Sequence, residues 1–379
     1  MKEVMTFKSG KFLFCGRYDQ RILEKLLIEA SLLTATVKDL PLLPAWSAQI
    51  EPELLYSSIA GTAAIEGNTI NEHEVKAIAE GKISDTGHSA KDRLEIRNLI
   101  RTYQSLDSLE SEPGPFLLTE AHIRELHHQI TNGLPYENNI PGAYRNGMVQ
   151  VGDKAHGGIY TPPKIIEDVQ TLMMEFIVWI NSEEIIGQDV FIRAALAHYH
   201  LSLIHPFRDG NGRVARLIEA LLLQTAGIRY VPKMLSNYYY RHVDEYYMSF
   251  SKSIRGDKEI TPFVEFTLKG VIDSLQNMKD RIALFIRKLV LRDYIHFLGH
   301  NKSLSKRQID LLTLMLDNWG VSFTLNELSG TMPFSMLYRR VSTLTARRDL
   351  KKLSELNLLA LDESRRYVLN SHALEARGS

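Results

Sequence analysis

The sequence contains very little cysteine: Cys15 is the only one among 379 residues. An internal disulfide is therefore excluded, and this usage is typical of proteins in a reducing compartment. Because Cys15 follows Phe12, Leu13 and Phe14, we expect a packing residue and not a reactive thiol.

Long apolar runs and an excess of charge of one sign are also missing. No uncharged apolar stretch reaches about 18 residues, and the first residues lack the charged-then-apolar pattern of a secretion signal. The 45 basic and 45 acidic residues give a formal net charge of zero. No global field therefore draws the chain toward nucleic acid or an anionic membrane. We expect a cytoplasmic protein without a membrane partner.

The composition that is present is that of an ordinary globular protein, with 44% hydrophobic and 24% charged residues. A chain of 379 residues exceeds the usual size of one domain, which predicts two or three. Helical periodicity dominates, without low-complexity tracts or internal repeats.

The most informative segment is residues 205–216, which read His-Pro-Phe-Arg-Asp-Gly-Asn-Gly-Arg-Val-Ala-Arg. The two glycines allow a tight backbone turn whose N–H groups can converge on one anion. The apolar periodicity from Val214 to Leu222 predicts a helix, and its N-terminus would add donors and a positive dipole end. The segment therefore predicts a phosphate-handling site.

The side chains of the segment suit the same chemistry. Arg213 and Arg216 are three residues apart, so they share one helix face and can bind phosphate oxygens in pairs. Asp209 is a hard oxygen ligand of the kind that Mg²⁺ prefers. His205 can accept a proton near neutral pH.

The segment matches the Fic family signature, His-x-Phe-x-Asp/Glu-Gly-Asn-Gly-Arg-x-x-Arg, at every specified position. The chain thus resembles Fic-domain protein adenylyltransferases, which implies transfer of AMP from ATP to a Ser, Thr or Tyr hydroxyl of a protein, or of the chain itself, with release of pyrophosphate. The resemblance implies that His205 is the general base, that Asp209 holds Mg²⁺ and that Phe207 packs beneath the loop. The implied anion hole and phosphate contacts are Gly210, Asn211, Gly212, Arg213 and Arg216.

A second match lies upstream, at Pro141–Arg145 and in the β-prone stretches Val149–Val151 and Gly157–Pro163, which predict a hairpin. The resemblance implies that this hairpin, here called the flap (residues 149–163), covers the active site and pairs with a target segment. Downstream, Tyr247 is the residue that we expect to stack on adenine, although tyrosines at helical spacing also serve as ordinary packing residues.

Residues 62–67 form a further motif, Thr-Ala-Ala-Ile-Glu-Gly, after a helix predicted to start near Pro52. Gly67 is expected just past the helix end in a left-handed conformation. Glu66 then lies at the negative dipole end, where an acid favours a basic partner. The Fic inhibitory motif, Ser/Thr-x-x-x-Glu-Gly/Asn, matches here and implies that Glu66 pairs with Arg216 and blocks productive ATP binding. The same glutamate could instead position a water that removes AMP.

These observations predict a mainly α protein with three parts. Residues 1–110 form an N-terminal helical region that carries the inhibitory motif, residues 111–285 form the Fic catalytic core, helical apart from the flap, and residues 290–379 form a separate module. The core's resemblance implies an all-helical Fic fold. Glu112 to Pro115 are expected to break the chain between the first two parts.

The C-terminal module resembles a winged helix. Helices are expected near 305–319, 324–329, 336–341 and 343–356, and strands 358–362 and 366–369 would form the wing. Arg347, Arg348, Lys351 and Lys352 would lie near DNA phosphates if the helix entered a major groove. The module holds 12 Lys or Arg against 8 Asp or Glu over residues 301–379, without the strong basic stripe of a dedicated DNA-binding protein.

Two classes of function therefore stay open. One is a self-restrained adenylyltransferase whose module recruits a target or dimerises. The other is a DNA-binding regulator with a Fic core that senses nucleotide. The intact His205 and Asp209 favour the enzyme.

Overall fold

The computed structural model describes residues 1–82, 87–107, 114–135, 140–256 and 259–373. Two compact units divide the chain, Met1–Lys279 and Asp280–Ser379. The N-terminal region and the core, predicted as separate parts, therefore belong to one unit. The predicted boundary at residue 110 and the predicted break at Glu112 lie outside the described residues.

The chain begins with an antiparallel hairpin of β1 (Lys2–Met5) and β2 (Lys11–Phe14), in which Lys2 pairs with Phe14. The buried Phe14 ring stacks on Trp179 with centroids 5.4 Å apart. This hairpin was not predicted from the sequence. Four-residue strands give only two periods of alternation, too few to be distinguished from irregular chain.

Four helices follow: α1 (Gln20–Asp39), α2 (Pro44–Ile65), α3 (Glu72–Ala79) and α4 (Ala90–Asp107). Helix α2 begins at Pro44, and Pro52 lies inside it, so the predicted start near Pro52 was wrong. Proline suits the first turn of a helix, and two candidates compete in this stretch. Gly67 has φ +89°, which confirms the predicted left-handed residue after the helix.

The rest of the first unit is helical. Its helices are α5 (Glu120–Thr131), α6 (Ile166–Ile180), α7 (Glu183–Ile186), α8 (Val190–Ile204), α9 (Asn211–Thr225), α10 (Leu235–Arg241), α11 (Val243–Arg255) and the first part of α12 (Thr261–His300), which continues past Lys279. Helix α8 is buried on nearly all sides and packs against α9. The predicted mainly helical fold is thus confirmed.

Helix α2 packs closely against α10 because Gly61 has no side chain. A Cβ atom at Gly61 would lie 2.8 Å from the Cα of Asn237, a distance that backbone atoms do not tolerate. This close approach fixes the C-terminal end of α2, where Glu66 follows, beside the first turn of α9.

The flap is less regular than predicted. Val151 and Tyr160 form one antiparallel bridge through two backbone hydrogen bonds of 2.9 and 2.8 Å. Within the described residues 140–165, no strand longer than this single bridge forms. Gly152, Gly157 and Gly158, which lie between the two bridge residues, all adopt positive φ. The chain there closes into a loop instead of continuing as paired strands.

In the second unit, the part of α12 from Leu291 to Leu298 contributes to the core. The other elements are α13 (Lys306–Asp317), β3 (Ser322–Phe323), α14 (Leu325–Gly330), α15 (Ser335–Tyr338), α16 (Thr343–Glu355), β4 (Leu359–Leu361) and β5 (Tyr367–Leu369). The strands form an antiparallel sheet in the order β3-β5-β4. The four predicted helices and the β4–β5 hairpin are present, whereas the two-residue β3 was not predicted.

None of the helices in the described ranges combines the length and apolarity needed to cross a bilayer.

Candidate active site

The site is built on the turn between two packed helices. Helix α8 ends at His205, whose backbone is left-handed with φ 50° and ψ 59°. Helix α9 begins at Asn211 after Gly210, which has φ +81° and supplies no capping side chain. The first N–H groups of α9 are therefore available to an anion, as every uncapped helix start leaves them. Residues 205–210 are called the signature loop below.

Asn211 holds the signature loop together. Its Oδ1 accepts from the Phe207 backbone N–H and its Nδ2 donates to the Phe207 carbonyl, both at 2.9 Å. Phe207 is fully buried, as predicted for the residue beneath the loop. These two hydrogen bonds, here called the Asn211 clamp, use both polar atoms of the Asn211 side chain. Only its backbone N–H is therefore left to contribute to the predicted anion hole.

His127 supports the loop from below and was missed by sequence reasoning. Its ring stacks on Phe207 with centroids 3.7 Å apart. Its Nδ1 accepts from the Gly142 N–H at 2.9 Å, and its Nε2 lies 3.0 Å from the Asp209 carbonyl. Burial lowers the pKa of His127 to about 4, so the ring is neutral and serves as both acceptor and donor. A histidine in an amphipathic helix gives no sequence signal for this role.

Arg145 connects the segment before the flap to the end of α8. Its Nε donates to the His205 carbonyl at 2.7 Å and its Nη1 to the Gly147 carbonyl at 2.6 Å. Its own N–H donates to the Pro206 carbonyl at 2.9 Å. Sequence reasoning noted Arg145 only as part of a family match, and the structure assigns it to fixing His205.

The His205 imidazole, the predicted general base, is half-buried at the end of α8. Its Nδ1 is 3.3 Å from the Ser202 carbonyl, which favours the tautomer with the proton on Nδ1 and a lone pair on Nε2. Burial lowers the pKa of His205 to about 4, and the nearby Arg145 acts in the same direction. The ring is therefore neutral at pH 7 and can accept a proton.

Arg213 is buried and held by two acids. It forms an ion pair with Glu95 of α4, and its Nη2 lies 3.2 Å from Asp209 Oδ1. Glu95 also accepts from Asn68 Nδ2 at 3.0 Å. Sequence reasoning missed Glu95, since a single acid in a helix is usually solvent-exposed. Arg213 thus faces protein carboxylates in this structure, although it was predicted to contact phosphate.

Arg216 is buried and paired with Glu66. Its Nη2 lies 2.7 Å from Glu66 Oε1, and its Nε donates to Thr62 Oγ1 at 2.7 Å. Burial disfavours the Glu66 carboxylate, but the charges of Arg216 and Arg213 outweigh it and lower the pKa of Glu66. A Cβ atom at Gly212 would lie 2.5 Å from Glu66 Oε1, so the carboxylate rests directly on the first turn of α9. The predicted pair is present.

A buried polar network lies behind Arg216. Glu219 Oε2 is 2.9 Å from His198 Nδ1, and His198 Nε2 is 2.9 Å from the Tyr246 hydroxyl. Tyr239 donates to Glu219 at 2.9 Å. Burial raises the pKa of the Tyr246 hydroxyl, and the nearby charge of Arg216 opposes that shift. Sequence reasoning missed this network. The only sequence signal for it was that Glu219 lies three residues after Arg216 on the same helix.

These elements enclose a cavity of about 410 Å³. Six predicted or network residues line it, namely Glu66, His205, Gly212, Arg216, Tyr246 and Tyr247, together with the flap residues Gln150 to Asp153, His156, Gly158 and Tyr160. Asp209, Gly210, Asn211 and Arg213 are not among the lining residues. Arg213 lies behind the wall, and Asp209 is partly exposed at its edge.

The comparisons with known proteins agree with this geometry. Residues 117–223 match the model of the Fic/DOC family, so the first unit contains a Fic domain. The "Protein adenylyltransferase Fic" of Culex quinquefasciatus is 32% identical over 225 residues, which is 59% of this chain and 41% of that protein. The "Protein adenylyltransferase fic-1" of Caenorhabditis elegans is 31% identical over 227 residues, with the same coverage. The chain thus spans less than half the length of these relatives.

Two solved structures are similar in fold. A Fic family protein from Desulfovibrio desulfuricans matches 96% of this chain and 99% of its own with a TM-score of 0.58 at 20% identity, which supports the fold alone. Fic-1 from C. elegans (residues 134–508) matches 70% of this chain and 74% of its own with a TM-score of 0.57 at 26% identity.

Proposed function

We propose that the chain is a protein adenylyltransferase that transfers AMP from ATP to a Ser, Thr or Tyr hydroxyl of a protein. One observation carries the proposal: a neutral His205 shares a cavity with the uncapped start of α9 and with Arg216. The names of the relatives at 31–32% identity support the reaction class.

In the proposed step, the hydroxyl oxygen of the target attacks the α-phosphorus of ATP. His205 Nε2 accepts the hydroxyl proton, a bond forms between that oxygen and phosphorus, and the bond to the pyrophosphate oxygen breaks. The N–H groups of Gly212 and its neighbours in the first turn of α9 would stabilise the phosphate charge that grows in the transition state.

Asp209 fits Mg²⁺ bound together with substrate phosphates. Within the described residues, the hydrogen bonds of its carboxylate, from the Gly210 N–H at 2.7 Å and from Arg213 at 3.2 Å, both fall on Oδ1. No group of three or more acidic, histidine or cysteine side chains forms a metal site in the described ranges. Magnesium is commonly held by one carboxylate plus phosphates, and there it would neutralise phosphate charge.

Tyr247 is proposed to stack on adenine. The ring is half-buried, lines the cavity and packs against Tyr246 at 5.3 Å. An adenine base placed there would leave its phosphates to extend toward Arg216 and the start of α9.

Glu66 is proposed to restrain the enzyme. Its carboxylate occupies the face of Arg216 that a γ-phosphate would need and rests on the Gly212 N-terminal turn. Two anions cannot share this guanidinium face at low cost. ATP bound beside the Glu66–Arg216 pair would be held in a non-productive pose.

The test uses ATP labelled with ³²P at the α position and, separately, at the γ position, with Mg²⁺ present. Wild type, Glu66→Gly, His205→Ala and the double variant Glu66→Gly/His205→Ala are incubated alone and with a cell extract. We expect α-label on protein, raised at least about tenfold in Glu66→Gly and lost in Glu66→Gly/His205→Ala. Label on this protein when it is incubated without the extract would establish self-modification.

Other outcomes have distinct meanings. Label from the γ position would contradict AMP transfer and indicate a kinase-like reaction. Equal rates in wild type and Glu66→Gly would contradict the restraint. Release of AMP from a labelled target by wild type but not by Glu66→Gly would assign AMP removal to the same glutamate.

A second candidate function rests on the C-terminal unit, whose sheet and helices fit the proposed winged helix. On α16, Arg347, Arg348, Lys351 and Lys352 are exposed, whereas the acid between them, Asp349, is buried and paired with Arg307 at 2.7 Å. The exposed charged side chains over residues 343–352 are therefore all basic, although the chain as a whole is neutral. This favours duplex DNA as a partner.

A gel-shift assay with a random duplex at low salt tests this candidate. We expect Arg347→Ala/Arg348→Ala to weaken binding about tenfold or more. The matched control, Lys25→Gln/Lys38→Gln, removes the same charge from exposed sites of the first unit and should leave binding unchanged. No retardation of wild type at micromolar concentration would reject the DNA-binding regulator and leave recruitment or homo-oligomerisation as the role of this unit.

A further inference from the structure

His156 lies at the tip of the flap (residues 152–158) with an acid on each side of its ring. Its Nδ1 is 2.9 Å from Asp153 Oδ2, and its Nε2 is 3.0 Å from Asp244 Oδ1. Asp153 belongs to the flap tip, but Asp244 belongs to the first turn of α11. Only the imidazolium form can donate from both nitrogens, so this geometry selects the charged ring.

Other contacts bind the same loop to the same helix. Ser251 of α11 donates from Oγ to the His156 carbonyl. A Cβ atom at Gly157 would lie 2.6 Å from Ser251 Oγ, so the backbone there rests directly on α11. The Gly158 N–H donates to the Asp153 carbonyl at 2.7 Å and closes the loop. The flap tip is therefore attached to α11 by two polar contacts of His156, and within the described residues its charged link to α11 is His156–Asp244.

The attachment continues into the cavity. The His156 ring packs against Tyr247 with centroids 5.2 Å apart, and both residues line the cavity. Tyr246, which precedes Tyr247 on α11, lines the same cavity as Arg216. Displacement of His156 would therefore free the flap tip and remove the ring that supports Tyr247.

We propose that His156, as an imidazolium, is a positioning residue that pins the flap tip to α11 and holds Tyr247 in place for the nucleotide. The proposal rests on the proposed function, because it assigns Tyr247 to the base of ATP. It predicts that loss of the pin weakens nucleotide binding and leaves the chemical step, which His205 performs, nearly intact.

The pin depends on pH in a defined direction. Hydrogen bonds to Asp244 and Asp153 raise the pKa of His156 above its ordinary value of 6.5. Two further charged groups lie at this loop within the described residues, the exposed Lys154 of the loop itself and Arg255 of α11 beside Gly158. Because the pKa of His156 is raised, its ring is charged and the flap tip is pinned below pH 6.5. The charge and the link to α11 are lost as the pH rises through the raised pKa. Affinity for nucleotide should therefore fall on the alkaline side.

The experiment is done in full-length protein carrying Glu66→Gly, with His156→Gln added. Glutamine keeps comparable volume and one donor but no charge. We expect KM for ATP to rise roughly two- to fivefold at pH 7, the range for loss of a partly exposed charged contact, with kcat within about twofold. KM of the parent should rise from pH 7 to 9, and that of His156→Gln should stay flat. Asp244→Asn should behave like His156→Gln, and the exposed His73→Gln like the parent.

A binding measurement separates failure of this proposal from failure of the proposed function. Calorimetric titration with a non-hydrolysable ATP analogue needs no catalysis, so it applies even if no α-label is transferred. Weaker binding by His156→Gln at pH 7 but not at pH 9 supports the pin. Equal affinities of parent and variant at pH 7, or a parallel fall of kcat and melting temperature without a change in KM, would overturn it.

Discussion

The signature loop and the flap tip face the same cavity but are held in opposite ways. The loop is fixed from inside the protein: Phe207 is fully buried, Asn211 is 2% exposed, and both bond or stack onto other buried groups. The flap tip is fixed from outside, since the side chains of Asp153 and Asp244 are 59% and 85% exposed. One wall is therefore permanently organised, and the other depends on contacts that water and pH can weaken.

The comparison is tested most strongly by removing an apolar side chain from each wall. Phe207→Ala leaves a cavity beneath the loop and should lower the free energy of unfolding by about 3–5 kcal/mol. Ile159→Ala in the flap, where the side chain is 55% exposed, should change it by less than about 0.5 kcal/mol. Urea unfolding of both variants gives the values. Similar losses would show that the two walls are equally integrated.

The next largest effect concerns the Asn211 clamp. Asn211→Ala removes two buried hydrogen bonds and leaves the Phe207 backbone groups unpaired, so we expect a loss of about 1–3 kcal/mol and a strong fall in transfer rate. Asp153→Asn in the flap, which removes a charge at an exposed site, is the matched control and should keep stability within about 0.5 kcal/mol. A stable Asn211→Ala enzyme with normal kcat would contradict the clamp.

The inner wall also predicts acid sensitivity. Burial lowers the pKa of both His127, beneath the signature loop, and His205, at its start, to about 4, below the ordinary value of 6.5. Protons therefore bind the unfolded chain first, and stability falls as the pH drops from 6.5 toward 4, by on the order of 1 kcal/mol per pH unit for each histidine. Urea unfolding at pH 7, 6 and 5 measures the slope. A free energy of unfolding that is constant over this range would contradict the neutral buried rings.

The same comparison shows why the sequence predicted one wall better than the other. The glycines, acid and arginines of residues 205–216 are close together in the chain, so their spacing alone placed the start of α9, and the predicted Glu66–Arg216 pair is present. His127 and Glu95 reach the site from other helices, over distances that periodicity does not encode.

The flap and the N-terminal hairpin were harder for a related reason. Gly152, Gly157 and Gly158 mark a turn, but sequence does not show that Ser251 fills the space beside Gly157. In the N-terminal hairpin, β1 and β2 are stabilised by Phe176 and Trp179, which are far away in the chain. Local patterns thus predicted the helices, and contacts between distant segments determined the rest.

The smallest effect that we predict tests whether the flap tip needs Gly157 for its close packing against α11 or only for its positive φ. Gly157 and Gly10 both have positive φ, at +97° and +80°, so Gly→Ala should cost each about 1 kcal/mol. At Gly10 nothing lies within 4 Å of the added Cβ, whereas at Gly157 it would meet Ser251. Gly157→Ala should therefore lift the flap tip and raise KM for ATP a few-fold, and Gly10→Ala should leave KM unchanged. An unchanged KM in both variants would mean that the flap tip does not need to rest on α11.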